Sequence, residues 1–259
     1  MKVVIFAGGL GTRISEETDI RPKPMVEIGG KPILWHIMKM YSYYGYNDFI
    51  VCLGYKGYVI KEYFMNYFMH NSDIAIDLAT NEMSILGTKS DNFKVTLVDT
   101  GLETKTAGRL KKVQKYIGNE TFMLTYGDGV CDVNISELVS FHKQHGKTAT
   151  VTAVSMASRF GGIEMSDNCS VKAFKEKTKD ENKWINGGFF VLNADVFDYL
   201  SNDAANTMWE DEPLEKLVAK NEMSAYKHSG FWKAMDALRD KIELEELWKN
   251  NNALWKKWS

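Results

Sequence analysis

Val3-Val4-Ile5-Phe6-Ala7-Gly8-Gly9-Leu10-Gly11-Thr12-Arg13, followed by Arg21-Pro22-Lys23-Pro24, is the stretch that decides how the rest of the chain reads. Its apolar head is short, β-branched and ended by glycine, the pattern of a buried parallel strand. In an open α/β sheet, ligands bind outside the carboxyl ends of the strands, which is where Gly8 to Arg13 falls. Glycines let backbone N–H groups approach phosphate oxygens closely. Arg13 and Lys23 could neutralise those oxygens, and the prolines flanking Lys23 restrict its loop. A tight turn with two surface cations would use the same letters. The loop is not a G-x-G-x-x-G dinucleotide fingerprint, because Ile14 stands where the third glycine belongs. It is not a Walker A loop either, since no Gly-Lys-Ser/Thr follows at the right spacing.

Outward from that stretch, short apolar runs alternate with segments of helical spacing. Phe49 to Leu53, Ile74 to Leu78, Lys94 to Asp99, Thr121 to Tyr126, Ala149 to Val154 and Ser224 to Lys227 read as strands. Helices are expected from Pro32 to Gly45, Lys56 to Met69, Gly108 to Tyr116, Ile135 to Gln144, Ala194 to Leu200, Pro213 to Lys220 and Met235 to Trp248. Gly8 to Arg21 reads as loop, and Asn81 to Asn92 as polar and exposed. Between 155 and 192 the spacing is strand-turn-strand: Gly161 to Met165 and Val171 to Phe174 about a turn at Asp167-Asn168, then Trp184 to Leu192 broken at Asn186-Gly187-Gly188. The whole predicts an α/β protein, a mostly parallel sheet with helices on both faces and a small antiparallel insertion. No repeat, low-complexity tract or linker interrupts it, so one domain over 1–259 is expected, with a C-terminal helix and aromatic tail from about 235.

Composition excludes several classes. The chain has 259 residues, 44% of them hydrophobic and 25% charged, with a net charge of −2, so nucleic acid or a membrane surface is not the expected partner. No apolar run approaches the roughly 20 residues of a membrane span. Cys52, Cys131 and Cys169 form no C-x-x-C pair, and the chain opens directly into a strand with no signal peptide, so a reducing cytoplasm is the expected compartment. His36, His70, His142, His145 and His228 show no ligand spacing and are expected at the surface, and G-x-S-x-G is absent.

Two aspartates stand out. Asp128 follows a buried strand, where a carboxylate beside a phosphate loop suits Mg²⁺; a hairpin turn at Asp128-Gly129 is the other reading. Asp236 could ligate metal or cap the last helix. Lys177 and Asn186-Gly187-Gly188 suit a sugar pocket, or else an exposed strand face with a bulge. Trp248, Trp255 and Trp258 either pack back on their own chain or form a subunit contact.

The glycine loop with Arg21-Pro22-Lys23-Pro24 resembles the signature of the sugar-1-phosphate nucleotidyltransferases. Pro22 to His36, Gly54 to Tyr58, Leu97 to Gly101, Gly108 to Lys111, Thr125 to Val130, Ile185 to Leu192 and Gly230-Phe231-Trp232 extend the resemblance over nearly the whole chain. They narrow it to the branch that uses CTP and glucose 1-phosphate. The resemblance implies a Rossmann-like nucleotidyltransferase fold, Mg²⁺ dependence, and CDP-glucose and pyrophosphate as products. CDP-glucose feeds 3,6-dideoxyhexose synthesis for bacterial surface polysaccharide, and such enzymes form hexamers. Carried over by motif, Gly8, Gly9, Leu10, Gly11, Thr12, Arg13 and Lys23 would hold the nucleotide, Arg13 and Lys23 acting on its phosphates. Thr104, Arg109 and Asp128 would also contact it, Asp128 and Asp236 would hold Mg²⁺, and Gly161, Lys177, Asn186 and Gly187 would face the glucosyl phosphate. Thr178, Ala237 and Gly162 depart from the pattern without removing a charge. The competing expectations are a relative using another base or sugar, and a nucleotide-sugar-binding regulatory protein without turnover.

Overall fold

Val3–Ala7 is buried along its whole length, because helices cover both faces of the sheet it belongs to. The computed structural model describes residues 1–88, 90–156, 162–165, 171–175 and 183–258. Its main sheet has seven strands: β1 (Val3–Ala7), β2 (Asp48–Leu53), β3 (Lys94–Asp99), β4 (Phe122–Tyr126), β5 (Ala149–Met156), β6 (Lys183–Leu192) and β7 (Met223–His228). They lie in the order β7-β5-β6-β4-β1-β2-β3. Only β6 runs antiparallel to its neighbours β5 and β4; the other pairings are parallel. The chain moves outward from β1 to β2 and β3, then returns to add β4 on the other side of β1. The crevice between the carboxyl ends of β1 and β4 is therefore the topological switch point, the expected ligand position in such a sheet.

Among the described residues, six helices of two turns or more flank the sheet: α1 (Ile33–Tyr43), α2 (Gly57–His70), α3 (Thr106–Ile117), α4 (Ile135–His145), α5 (Glu212–Ala219) and α6 (Leu238–Lys249). Alternate side chains of β1 enter opposite cores. Val3, Ile5 and Ala7 join Ile37, Tyr41, Leu138 and Leu244; Val4 and Phe6 join Leu110, Val113, Val196 and Leu217. Each such large side chain stabilises by about 1.5–3 kcal/mol on burial.

Several expectations are corrected. Gly8 to Arg21 is not all loop: a 3₁₀ turn at Thr12–Ile14 and a helical turn at Ser15–Thr18 stiffen it. Thr18 Oγ1 donates within it to the Gly11 and Ile14 carbonyls, both at 3.1 Å. The exposed segment after Asn81 contains a strand, Glu82–Thr88, which pairs antiparallel with Ser72–Asp77 as a hairpin. Trp184 to Leu192 is not broken: β6 is continuous, and the register slips between Val151↔Phe190 and Ala153↔Asn186. Gly187-Gly188-Phe189 is thus a bulge opposite Thr152, and β6 belongs to the main sheet rather than to an insertion. Gly162–Met165 and Val171–Lys175 do pair antiparallel; the turn expected at Asp167-Asn168 lies outside the described residues. Ala194–Tyr199 is a 3₁₀ helix, and the last helix starts at Leu238, after a strand at Trp232–Ala234.

Two histidines expected at the surface are buried. His142 spends both ring nitrogens on Thr150 Oγ1 (2.8 Å) and Asn193 Oδ1 (3.1 Å). His36 is fully buried; its Nε2–H donates to the Ile28 carbonyl at 2.8 Å, and Trp255 donates its indole N–H to Nδ1 at 3.4 Å. Trp248, Trp255 and Trp258 all pack against that ring, so the aromatic tail folds back on its own chain.

Candidate active site

The glycine loop leaves β1 at the switch point. Gly8 has no room for a side chain: a Cβ there would lie 2.2 Å from the Arg109 guanidinium. Gly11 takes φ +67°, a left-handed conformation that glycine adopts without cost. Next, Pro22 and Pro24 flank Lys23 in a 3₁₀ turn at Lys23–Met25, closed by the Met25 N–H donating to the Pro22 carbonyl at 2.8 Å. This turn aims Lys23 across the crevice.

Lys23 Nζ reaches two carboxylates from distant parts of the chain, Asp128 Oδ2 at 2.6 Å and Asp236 Oδ1 at 2.7 Å. Asp128 follows β4, which lies beside β1. Asp236 arrives on the strand Trp232–Ala234, which pairs antiparallel with Gly129–Cys131. Asp236 is not the helix cap; that position is Ala237. Burial alone would lower the pKa of Lys23, but the attraction and hydrogen bonds of the two carboxylates outweigh it and hold the ammonium above its ordinary value. The cation stays charged at neutral pH.

Two clefts meet at this cluster. One, of about 270 Å³, is lined by Gly9, Gly11, Thr12, Lys23, Thr106 and Asp236 among others. The second, of about 340 Å³, is lined by Asn186, Gly187, Glu210 and Trp232. Tyr126, Asp128 and Asp236 line both, so the carboxylate pair stands on the shared wall. The arrangement offers glycine backbone and a cation on one side, polar and aromatic groups on the other, and two carboxylates between them. It can hold two ligands whose reacting ends meet.

Residues 2–253 match the sequence model of the nucleotidyl transferase family. The chain belongs to that family. Its curated relatives include the glucose-1-phosphate cytidylyltransferase of Salmonella typhi, 56% identical over 259 residues and covering 100% of both chains. The probable glucose-1-phosphate cytidylyltransferase of Bacillus subtilis is 48% identical, again over 100% of each. Among solved structures, a putative glucose-1-phosphate thymidylyltransferase from Bacillus anthracis superposes with a TM-score of 0.71 at 17% identity, covering 100% of this chain and 97% of the other. A UDP-glucose pyrophosphorylase in complex with UDP-glucose gives 0.68 at 18% identity, covering 96% and 98%. These two likenesses speak for the fold: the main sheet has the Rossmann-like nucleotidyltransferase architecture.

Within this nucleotidyl transferase, the structure gathers Gly9, Gly11, Thr12, Lys23, Asp128 and Asp236 at one cleft, and Asn186 and Gly187 at the other. Leu10 is half exposed beside them. Arg13 lies in the 3₁₀ turn after the loop, its side chain beyond what is described; Gly161 and Lys177 lie outside the described residues. Arg109 does not face the cleft. It is 4% exposed, and its guanidinium donates to the carbonyls of Gly8, Leu53, Gly101 and Leu102 and to Thr100 Oγ1 at 2.6–3.1 Å. Thr104 accepts from Lys112 Nζ at 3.2 Å.

Sequence reasoning missed Thr106, Tyr126, Glu210 and Trp232. Thr106 and Tyr126 both donate hydroxyls to Glu210, Thr106 at 2.9 Å. Burial, then the Glu210 charge, pushes the Tyr126 phenol far above its ordinary value, so it remains a donor. Trp232 donates its indole N–H to the Gly187 carbonyl at 2.8 Å, fixing the bulge of β6. Tyr126 and Trp232 sit inside segments that carry the family resemblance, whereas Glu210 carries no local signal at all.

Proposed function

We propose that this chain transfers a cytidylyl group from CTP to α-D-glucose 1-phosphate, giving CDP-glucose and pyrophosphate. The observation that carries the chemistry is the Lys23 ammonium bonded to both Asp128 and Asp236 on the wall shared by two clefts. The choice of base and sugar is supported by full-length identity of 56% to a curated enzyme of that activity. The glycine loop and Arg13 take the triphosphate. Asn186 and Gly187, with Gly161 and Lys177, take the sugar phosphate.

A phosphate oxygen of glucose 1-phosphate attacks the α-phosphorus of CTP in line. The bond from that phosphorus to the bridging oxygen breaks, and its electron pair leaves with pyrophosphate. The attacking oxygen is already ionised, so no protein base or nucleophile is needed. The obstacles are alignment and repulsion between two anions. Lys23 and Arg13 lower that repulsion.

The carboxylates fit a divalent cation. Two hard oxygen donors from separate elements already converge on one positive charge, and Mg²⁺ is typically held by one or two carboxylates plus substrate phosphates. Among the described residues no group of three or more His, Cys, Asp or Glu forms a cage that would bind metal without the nucleotide. Bound Mg²⁺ would neutralise charge shared by Asp128, Asp236 and the phosphates.

Pyrophosphate release, measured with each nucleoside triphosphate and glucose 1-phosphate with and without Mg²⁺, tests this reading. CTP with Mg²⁺ should be the productive combination; equal turnover with UTP or dTTP, or none with any nucleotide, would overturn it. Asp128→Asn should abolish the metal-dependent rate.

The protein works in the cytoplasm as a homo-oligomer, with a hexamer as the resemblance implies. Cys52 and Cys131 are buried free thiols, and among the described residues no helix is long and apolar enough to cross a membrane. The hairpin Ser72–Asp77/Glu82–Thr88 sets Ile74 opposite Ile85 and Ile76 opposite Met83, one apolar face exposed by 37–54% per residue. A two-stranded hairpin is marginal by itself in water, so this face calls for a covering subunit. Sedimentation of a monomer at micromolar concentration would exclude it.

A further inference from the structure

Asp236 lies on a three-residue connection between the strand Trp232–Ala234 and helix α6. Its N-terminal side is fixed to the other carboxylate: the Met235 N–H donates to the Asp128 carbonyl at 2.8 Å, continuing the pairing of Ala234 with Gly129. On the other side the helix is capped at Ala237, whose methyl side chain accepts no hydrogen bond, and Asp240 in the first turn reaches back to the cap. Its Oδ2 accepts from the N–H of Asp236 itself at 3.1 Å and from that of Ala237 at 2.9 Å. Asp240 is 5% exposed, and its Oδ1 is held by the equally buried Lys233 at 3.1 Å. Lys233 also bonds Glu243 Oε2 at 2.5 Å.

We propose that Asp240 is a positioning residue for the reaction: by clamping the Asp236 peptide, it sets where the Asp236 carboxylate meets the divalent cation, and Lys233 anchors the clamp. This inference rests on Asp236 being a metal ligand. A carboxylate at the third helical position ordinarily bonds only the cap N–H and stabilises the helix end. Here one oxygen also holds the residue whose own side chain reaches the Lys23 ammonium at 2.7 Å. Rotation of that peptide would move the carboxylate out of line with Asp128, and groups that orient a metal ligand typically change metal affinity 10–100-fold when removed.

The test is Mn²⁺ titration of the full chain in the presence of saturating CTP by electron paramagnetic resonance, with steady-state kinetics alongside. Asp240→Ala should weaken Mn²⁺ binding about 10-fold or more and lower kcat, with KM for CTP close to wild type. Asp240→Asn, whose amide oxygen can accept from both N–H groups but whose NH₂ cannot accept from Lys233, should recover part of the affinity. Leu244→Ala loosens the same helix by removing a fully buried side chain and should leave Mn²⁺ affinity unchanged. Wild-type Mn²⁺ affinity in Asp240→Ala, or an equal loss in Leu244→Ala, overturns the positioning role. With either result, a loss in Asp236→Asn keeps the metal assignment, whereas unchanged affinity in Asp236→Asn overturns both. Should Asp240→Ala fail to fold, Lys233→Met carries the test: several-fold weaker binding supports the clamp, and wild-type binding overturns it.

Discussion

The two sides of the glycine loop each hold a cation, half-buried in front and buried behind, and the two cations have opposite surroundings. In front, Lys23 meets charged partners, Asp128 and Asp236, at the mouth of two clefts. Behind, Arg109 is 4% exposed and meets backbone carbonyls of Gly8, Leu53, Gly101 and Leu102 and one hydroxyl. A carboxylate pair around an ammonium can exchange partners with phosphate and metal. Carbonyls saturated by a guanidinium cannot, and instead tie the ends of β1, β2 and β3 into one unit. Charge facing exchangeable charge marks chemistry; charge absorbed by neutral acceptors marks scaffold.

The sharpest way to break that contrast is Arg109→Ala. Removing a buried, fully bonded cation leaves acceptors short of donors and opens a cavity beneath Gly8. The expected loss is on the order of 4 kcal/mol of stability, read by urea denaturation. A fold of wild-type stability with lost nucleotide binding would instead make Arg109 a ligand.

Next in size is the acid side of stability. Burial lowers the His36 pKa to about 4, since a charged ring cannot be solvated inside the aromatic cage. The folded chain therefore binds fewer protons than the unfolded chain between about pH 6.5 and pH 4. Its neutral imidazole contributes fully above the unfolded value, and that contribution drains away as pH falls toward 4, about 3 kcal/mol in all. His36→Gln should flatten this part of the denaturation–pH curve; an unchanged slope would move the effect elsewhere, for instance to His142 or His145, whose pKa values burial also lowers.

How much of this was legible beforehand depends on distance along the chain. β1, its glycine loop and Lys23 read directly, because an apolar run, its terminating glycines and the flanking prolines are contiguous. Asp128 read almost as well, one turn beyond a buried strand. Asp236 needed the strand Trp232–Ala234, too short to show any period and defined only by pairing with Gly129–Cys131. Arg109 looked like a ligand because a cation on a helix beside a phosphate loop has the same letters whether it faces the cleft or the core. Glu210 was invisible, since its role comes from Thr106 and Tyr126 meeting it from other elements. The hairpin strand Glu82–Thr88 read as exposed, which it is, but its polar flanks masked the alternation of Met83 and Ile85.

The smallest expected energy belongs to the residue at the centre of the chemistry. Lys23→Ala should cut kcat by roughly 10²-fold, equivalent to about 2.7 kcal/mol, as loss of one preorganised cation does elsewhere. Its stability should stay near wild type, because Asp128 and Asp236 are both partly solvated and relax into water when the ammonium goes. The comparison between the two cations rests on this divergence: Arg109→Ala should be read in denaturant and Lys23→Ala in turnover. If Lys23→Ala instead unfolds the protein while the residual folded fraction turns over normally, the ammonium is scaffold like the guanidinium behind it, and the shared wall of the two clefts loses its catalytic centre.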